Sequence, residues 1–226
     1  MDFNLYAILI AYFLDLIFGD PEWQMHPVRI IGKMIAGLEK WLNVPSDNKI
    51  LRGFILSLIV ICSVGGAVWA SLRLAWIISP VIYFFLSTLL IYFGLSVRDL
   101  AVQAHRVRMA LADRNIPQAR EQLARIVGRD TGALDEPEIV RASVETVAES
   151  AMDGIIAPLF YCFLGGPALM WVYKAVNTLD SMVGYRNQRF IEFGRVSAKL
   201  DAMMNFIPAR ITSFLIGVSG GVCGKD

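Results

Sequence analysis

Charged residues are scarce in this sequence, and their scarcity indicates its broad class. Of the 226 residues only 18% are charged, whereas 56% are hydrophobic, and the mean hydropathy is +0.53. A soluble domain typically has about 25% charged and about half apolar residues, so the composition indicates a membrane protein. The formal net charge of +1 gives no reason to expect a nucleic-acid partner.

Paired cysteines and the common catalytic motifs are lacking as well. Cys62, Cys162 and Cys223 form no CxxC or Cys/His pair, so neither a zinc site nor a disulfide framework is indicated, and we expect buried, inert thiols. The chain has no Walker A loop, no GxGxxG after a strand, no GxSxG elbow and no HExxH helix. Its start has no basic region or small-residue cleavage site, which predicts a retained membrane helix over residues 3–18 and not a signal peptide.

Long uncharged runs take the place of these features. Residues 53–72 contain no charge, and about 20 such residues cross about 30 Å of hydrocarbon. Residues 74–97 form a second run, and only Arg73 separates the two, which predicts a tight helical hairpin with its turn at Arg73.

This hairpin would place residues 20–52 and 98–153 on the same side of the membrane. The two segments carry thirteen Lys and Arg residues, against one at the predicted tip. Because positive residues favour the cytoplasmic side, we expect both segments in the cytoplasm and the N-terminus outside.

The apolar stretch over residues 155–177 is interrupted by Gly165, Gly166 and Pro167. Its length permits a crossing helix, but the interruption leaves two pieces of about ten residues, which favours a re-entrant hairpin. Residues 211–223 begin a further apolar helix that is too short to span. The expected fold is an all-α integral membrane protein with one domain, a multi-pass helical bundle with a cytoplasmic helical region and a re-entrant segment.

Polar residues are concentrated directly after that interrupted stretch. On a helix, Lys174, Thr178, Ser181 and Tyr185 would form one stripe, with Asn177 at its edge. Polar groups this close to lipid are costly unless they serve a site or a cavity. The alternative is a solvated interfacial helix, since polar flanks of membrane helices are common.

Carboxylates recur at a spacing of four residues in the central part of the chain. Arg141, Glu145, Glu149 and Asp153 would form a ladder on one helix face. Neighbouring carboxylates repel one another unless cations intervene, and Mg²⁺ prefers oxygen ligands, so the ladder predicts a magnesium site. A solvated helix face is the alternative.

Two further groups of residues suggest anion recognition and proton transfer. Arg129 and Thr131 lie between two glycines and suit a phosphate. Near the end of the first apolar helix, Asp15 is followed by Asp20, His26 and Arg29. We favour a functional cluster there over the alternative, in which Asp15 caps the following loop through its own turn. Together these groups suggest an enzyme that joins large anionic substrates at the membrane surface.

Seven runs of the sequence carry a resemblance to a known family. They cover residues 15–21, 26–32, 128–131, 141–149 together with 153–154, 173–185, 193–195 and 205–210. In these runs, which extend over essentially the whole chain, the sequence resembles the cobalamin-biosynthesis family CbiB/CobD, the adenosylcobinamide-phosphate synthases. The run at residues 173–185 is the most specific of them.

The resemblance implies a multi-pass protein of the inner cell membrane that acts in the corrin pathway. Such a protein attaches aminopropanol or its phosphate to the propionate of adenosylcobyric acid as an amide. ATP is the implied co-substrate, with Mg²⁺ as the expected cofactor. The expected partners are these substrates, the lipid bilayer and other corrin-pathway membrane enzymes, without nucleic acid.

The sequence also departs from the family pattern. Ser150 stands where the family has Asn, Asp201-Ala202 where it has two Asp, and Phe206 where it has Tyr. Family members continue into a C-terminal region containing Ser-Pro-Asn that this sequence lacks. If that region contributes to the site, we expect this chain to be inactive or to need a partner.

Residue type and the resemblance together suggest the following roles. We expect catalytic roles for His26, Lys174, Asn177 and Asp180, and metal binding by Glu145, Glu149, Asp153 and Asp180. Substrate or phosphate binding is expected of Asp20, Arg29, Arg129, Thr131, Arg141, Ser181, Tyr185, Arg186, Arg195, Asn205 and Arg210. The competing hypothesis is a non-enzymatic membrane sensor, like the related AmpE family, or a scaffold or binding subunit.

Overall fold

The computed structural model describes residues 2–21, 23, 25–45, 48–128 and 130–223. Among these residues the regular secondary structure consists of helices joined by turns and loops, without a β-strand. The side chains of residues 2–4, 222 and 223 are not described. A π-helical turn, Met152–Ile156, joins α7 to α8. The α-helices are α1 Asp2–Phe18, α2 Pro27–Leu42, α3 Lys49–Ile78, α4 Pro80–Tyr92, α5 Val97–Ala112, α6 Ile116–Ala124, α7 Glu136–Ala151, α8 Ala157–Val183, α9 Arg195–Met204 and α10 Phe206–Cys223.

Three stretches are long and apolar enough to cross a membrane by length and composition: Lys49–Ile78, Pro80–Ala112 and Glu136–Val183. The pair α9 and α10, bent by 51°, would be a fourth if it forms one broken span. Large apolar side chains on these helices face outward; Ile77, for example, is 74% exposed. The structure therefore confirms an all-α membrane protein, since such exposure suits lipid contact.

The turn between the first two long helices lies at Ser79 and Pro80, and the prediction of a turn at Arg73 was wrong. The Ser79 hydroxyl accepts a hydrogen bond from the Val81 amide at 3.2 Å, and Pro80 opens α4. Proline at a first helical position and a serine cap start a new helix, whereas one arginine on an exposed face does not end one. Arg73 accordingly lies exposed inside α3, so the predicted bounds 53–72 and 74–97 are also corrected.

Helix α8 is a hairpin, as the interruption in its sequence predicts. The backbone leaves helical geometry at Gly165 and Gly166, where Gly166 has φ 68°. The Tyr173 hydroxyl lies 3.0 Å from a carboxylate oxygen of Asp153, and the rings of Tyr161 and Tyr173 stack at 5.2 Å. A continuous helix would separate residues twenty positions apart by about 30 Å. The chain therefore reverses at the glycines, which excludes one straight helix over residues 155–177. That this segment re-enters the membrane stays a prediction.

Two apolar clusters hold this hairpin in place. One joins α2, α3 and the returning arm of α8 through buried residues such as Ile35, Leu56 and Trp171. The other joins α1 and α4 to the tip of the hairpin through residues such as Ile91 and Met170. The returning arm of α8 is thus enclosed by other helices, whereas the end of the first arm is exposed at Phe163, Leu164 and Gly165.

Helices α5, α6 and α7 pack around a third, separate cluster. The predicted break near Pro117 separates α5 from α6, and Asn115 caps α6. The predicted cap at Asp135 is also present, as a capping box with Glu138 that starts α7. This three-helix unit carries Glu149 at the end of α7 to the start of the α8 hairpin.

Candidate active site

The reversal of α8 brings two polar stretches of the chain together. Asp153 lies in the π-helical turn before the first arm, and Lys174 and Asn177 lie on the returning arm. A cavity of about 650 Å³ lies between them, and Asp201 of α9 lines another part of its wall. Cavities of a few hundred Å³ are typical of small-molecule sites.

Eight of the residues predicted from the sequence line this cavity: Glu149, Asp153, Lys174, Asn177, Asp180, Ser181, Tyr185 and Asn205. Thr178, on the same predicted stripe, is buried, and its hydroxyl donates to the Lys174 carbonyl at 2.6 Å. The polar stripe of α8 therefore faces a cavity, which favours the functional interpretation over a solvated interfacial helix.

Asn205 connects the carboxylates of the cavity wall. It lies at the bend between α9 and α10, and its amide nitrogen donates to Asp153 at 3.2 Å and to Asp201 at 2.9 Å. The Tyr173 hydroxyl lies 3.0 Å from both Asp153 and Asn205, and Asn177 donates to Asp201 at 3.4 Å. Hydrogen bonds to both carboxylates fix their positions and reduce the cost of burying their charge.

The cavity wall carries an excess of negative charge. Four carboxylates line it, those of Glu149, Asp153, Asp180 and Asp201, against one ammonium group, Lys174. A wall of this composition attracts cations.

The N-terminal motif lies close to Lys174 but does not line the cavity. His26 is buried, its ring nitrogen lies 2.8 Å from a carboxylate oxygen of Asp20, and its ring edge packs on Phe93. Asp153 lines the same cavity wall as Lys174, and Asp20 lies within electrostatic range of that lysine. The Asp20–His26 pair therefore contributes to the electrostatic surroundings of Lys174 from behind the wall.

Asp15 caps a helix, although the sequence favoured a functional cluster there. Its buried carboxylate accepts hydrogen bonds from the backbone amides of Val97 at 2.6 Å and Arg98 at 3.4 Å. These amides open α5, and a carboxylate at a helix N-terminus is favoured by the helix dipole. Because the cap comes from α1, it fixes α1 against the start of α5.

The predicted set of four metal ligands does not form one site. Within the described residues no three His, Cys, Asp or Glu side chains converge enough to hold a metal ion. Each step of four residues turns about 40° around a helix, so a ladder of three steps does not point in one direction. Glu145 pairs with Arg141 at 2.9 Å, while Glu149 and Asp153 face the cavity.

None of the predicted arginines within the described residues lines the cavity. Arg210 packs on the ring of Phe206 at 3.6 Å. Thr131 is buried, and its hydroxyl donates to the Arg120 carbonyl at 3.0 Å, a structural role. Arg129 lies outside the described residues. The exposed arginines that were assigned to substrate binding are Arg29, Arg141, Arg186, Arg195 and Arg210.

Several residues of the cavity wall were not assigned from the sequence. Asp201, which the sequence showed only as a departure from the family's pair of Asp residues, lines the cavity. The backbone amide of Ser96 donates to the Gly154 carbonyl at 3.2 Å, and a Cβ on Gly154 would lie 2.4 Å from the Ser96 hydroxyl oxygen. Likewise a Cβ on Gly184 would lie 1.9 Å from an Asp180 carboxylate oxygen. The Asp-Gly pair at 153–154, next to an apolar run, was the available signal for a close backbone approach.

The cysteines are partly as expected. Cys162 is buried, whereas Cys62 is exposed on α3, so the prediction of a buried thiol was wrong there. The apolar surroundings of an outward helix face accommodate a small thiol without burying it in protein.

Comparison with known proteins identifies relatives over nearly the whole chain. The family profile described as CobD/Cbib protein matches residues 8–224. A protein of Geobacter metallireducens named Cobalamin biosynthesis protein CobD is 46% identical over 218 residues, covering 96% of this chain and 69% of that protein.

Two further relatives carry similar names. One from Clostridium perfringens, also named Cobalamin biosynthesis protein CobD, is 47% identical over 94% of this chain and 68% of its own length. One from Salmonella typhimurium, named Cobalamin biosynthesis protein CbiB, is 42% identical over 96% of this chain and 69% of its own length. No solved structure matches the chain significantly.

Proposed function

The chain belongs to the CobD/CbiB family of cobalamin-biosynthesis proteins, and on that premise we propose that it forms the amide between aminopropanol, or its phosphate, and the propionate of adenosylcobyric acid. The proposed reaction uses ATP and Mg²⁺ and takes place at the cytoplasmic face of the inner membrane. One observation supports it most: the runs at residues 141–149 and 173–185 meet at a single polar cavity.

The proposed reaction needs a bound carboxylate, a bound amine and groups that neutralise the negative charge of the phosphates. Lys174 is the one described cation of the cavity wall and suits the propionate or a phosphate. Asn177 and Ser181 add hydrogen-bonding groups on the same helix. We assign His26 to holding Asp20 near Lys174, because the ring contacts Asp20 and does not line the cavity.

The carboxylates fit a magnesium ion that is completed by substrate. Glu149 and Asp153 face the cavity, and Mg²⁺ is commonly held by one or two carboxylates together with water and phosphate oxygens. When bound there, the ion would neutralise phosphate charge. Glu145 is not part of this set, because it pairs with Arg141 on the outer surface.

Growth of a corrin-pathway deletion strain on cobyric acid tests the proposal. We expect expression of this chain to restore growth, and Lys174→Met to abolish the rescue while leaving the amount of membrane-inserted protein unchanged. The substitution keeps an aliphatic stem and removes the charge. Glu121→Gln, which removes an exposed carboxylate of α6 that pairs with Arg125, is the matched control and should rescue normally.

Two outcomes would contradict the proposal. Rescue by a relative from Geobacter metallireducens but not by this chain would show that the chain does not carry the activity. Binding of adenosylcobyric acid by the purified chain, with no product from aminopropanol phosphate, ATP and Mg²⁺, would indicate a binding subunit.

A further inference from the structure

We infer that the cavity is the binding site for the small amine partner, and that Asp180 and Asp201 hold this partner through its ammonium group. This inference rests on the proposed function. The cavity wall carries four carboxylates and one lysine, so its net charge is negative.

The size of the cavity favours the small substrate. A volume of about 650 Å³ suits a small organic molecule. A corrin macrocycle with its amide side chains and an adenosyl group is much larger, so only one propionate arm could enter. The body of the corrin must then lie outside, leaving the polar interior to the amine.

The charge of the cavity favours a cation over a second anion. The exposed arginines expected to bind phosphate lie outside the lining, and Lys174 is the one described cation within it. A further anion would meet four carboxylates at close range. An ammonium group would instead neutralise part of the charge, which is costly to leave uncompensated beside lipid.

The hydrogen bonding of the two carboxylates favours an organic cation at Asp180 and Asp201. Among those residues no donor lies within hydrogen-bonding distance of the Asp180 carboxylate, whereas Asp201 accepts from Asn177 and Asn205. Asp180 is therefore the acceptor available to a ligand, and Asp201 is held in place beside it. An ammonium group carries several N–H donors, so it can donate to the Asp180 carboxylate while the charge of Asp201 stabilises it from the same cavity wall.

Direct binding tests the inference without requiring turnover. Purified protein in lipid nanodiscs would be titrated with aminopropanol and with its N-acetyl derivative, in the presence of EDTA, and followed by saturation-transfer NMR. We expect aminopropanol to bind and the neutral derivative not to bind. Asp180→Asn should weaken aminopropanol binding by about tenfold, as loss of a charge-assisted hydrogen bond does, and Asp201→Asn should weaken it as well.

The matched control is again Glu121→Gln, which should bind as the unchanged protein does. Equal binding of the N-acetyl derivative, unchanged affinity in Asp180→Asn, or amine binding that disappears with EDTA would each overturn the inference. Circular dichroism and thermal unfolding of the same samples exclude misfolding of the variants as the cause.

The failure of the inference and that of the proposed function can be told apart. Absence of product from the unchanged protein, with amine binding intact, would contradict the proposed reaction only. Product formation in which Asp180→Asn leaves the KM for aminopropanol unchanged but raises that for adenosylcobyric acid would overturn the inference only.

Discussion

At the scale of single residues, buried polar groups of this protein act across helices. Asp15 caps α5 from α1, and Ser96 at the start of α5 donates to Gly154 of the cavity wall. A chain of short contacts thus runs from the first helix to the candidate site. A polar residue such as Asp15 can therefore support the candidate site without contacting it, by holding the backbone of a neighbouring helix in place.

Asp15→Ala should destabilise the protein by about 1–2 kcal/mol, because the substitution removes an N-terminal cap. Asp15→Asn retains an acceptor oxygen and should cost less. Thermal unfolding in one detergent, followed by circular dichroism, would rank the three proteins. An unchanged midpoint in the alanine variant would show that the Val97 and Arg98 amides find other acceptors.

Gly154→Ala should lower both stability and product formation, because its Cβ would meet the Ser96 hydroxyl oxygen at 2.4 Å. Forcing an extra methyl into a packed position typically costs about 1–3 kcal/mol. The double variant with Ser96→Ala removes the clashing atom and should recover most of the loss. Gly37→Ala, where a Cβ meets nothing within 4 Å, should have little effect. Failure of the double variant to recover would place the cause elsewhere.

At the scale of helices, the decisive element is the α8 hairpin. Its first arm is preceded by Asp153 and its second carries Lys174 and Asp180, so the reversal at Gly165 and Gly166 creates the cavity. The break is located by two glycines and a proline, which are poor formers of helix interiors. The hairpin is therefore the feature that links sequence to site most directly.

Gly166→Ala should be strongly destabilising. With φ 68° and ψ −168°, Gly166 occupies backbone space that is essentially restricted to glycine, so a side chain should cost about 1–3 kcal/mol or more. Gly66→Ala is the matched control, because Gly66 lies in the helical α3 and its Cβ would meet nothing within 4 Å. Comparable unfolding midpoints for the two variants would contradict this assignment of the hairpin turn.

At the scale of the whole molecule, the corrected hairpin between α3 and α4 sets the expected topology. With its tip at Ser79 and Pro80, Arg73 lies about nine Å before the end of the hairpin at a helical rise of about 1.5 Å per residue. The basic segments at residues 20–52 and 98–153 still lie at the opposite ends of these helices, with Lys49 and Arg52 in the first turn of α3. The positive-inside bias therefore continues to predict that they face the cytoplasm.

Cysteine labelling would test this topology. In a background with Cys62, Cys162 and Cys223 replaced by alanine, Ser79→Cys and His105→Cys should react with a membrane-impermeant reagent from opposite sides of the membrane. Only the Ser79 position should be labelled in intact cells. Labelling of both positions from the same side would contradict the predicted orientation.

Much of the architecture could be predicted from sequence because it depends on local chemistry. Uncharged runs indicated membrane helices, the glycines at 165 and 166 indicated a reversal, and Asp135 indicated a helix start. The turn at Ser79 was missed because a charge was taken to end a helix, although an exposed arginine is easily accommodated on one. The part of the site on α8, with Lys174, Asn177, Asp180 and Ser181, was also predictable, because polar residues beside lipid are costly unless they serve a cavity.

The sequence by itself thus determined the helical class, the family resemblance and the polar stripe of α8, because each depends on residues that are neighbours along the chain. Only the tertiary structure decided which polar residues share a cavity. It placed Asp201 and Ser96 beside Asp153, turned Glu145 away to Arg141, and left the exposed arginines outside the cavity. The physical reason is that a site joins side chains distant in sequence, and its membership depends on how the helices pack and where the chain reverses.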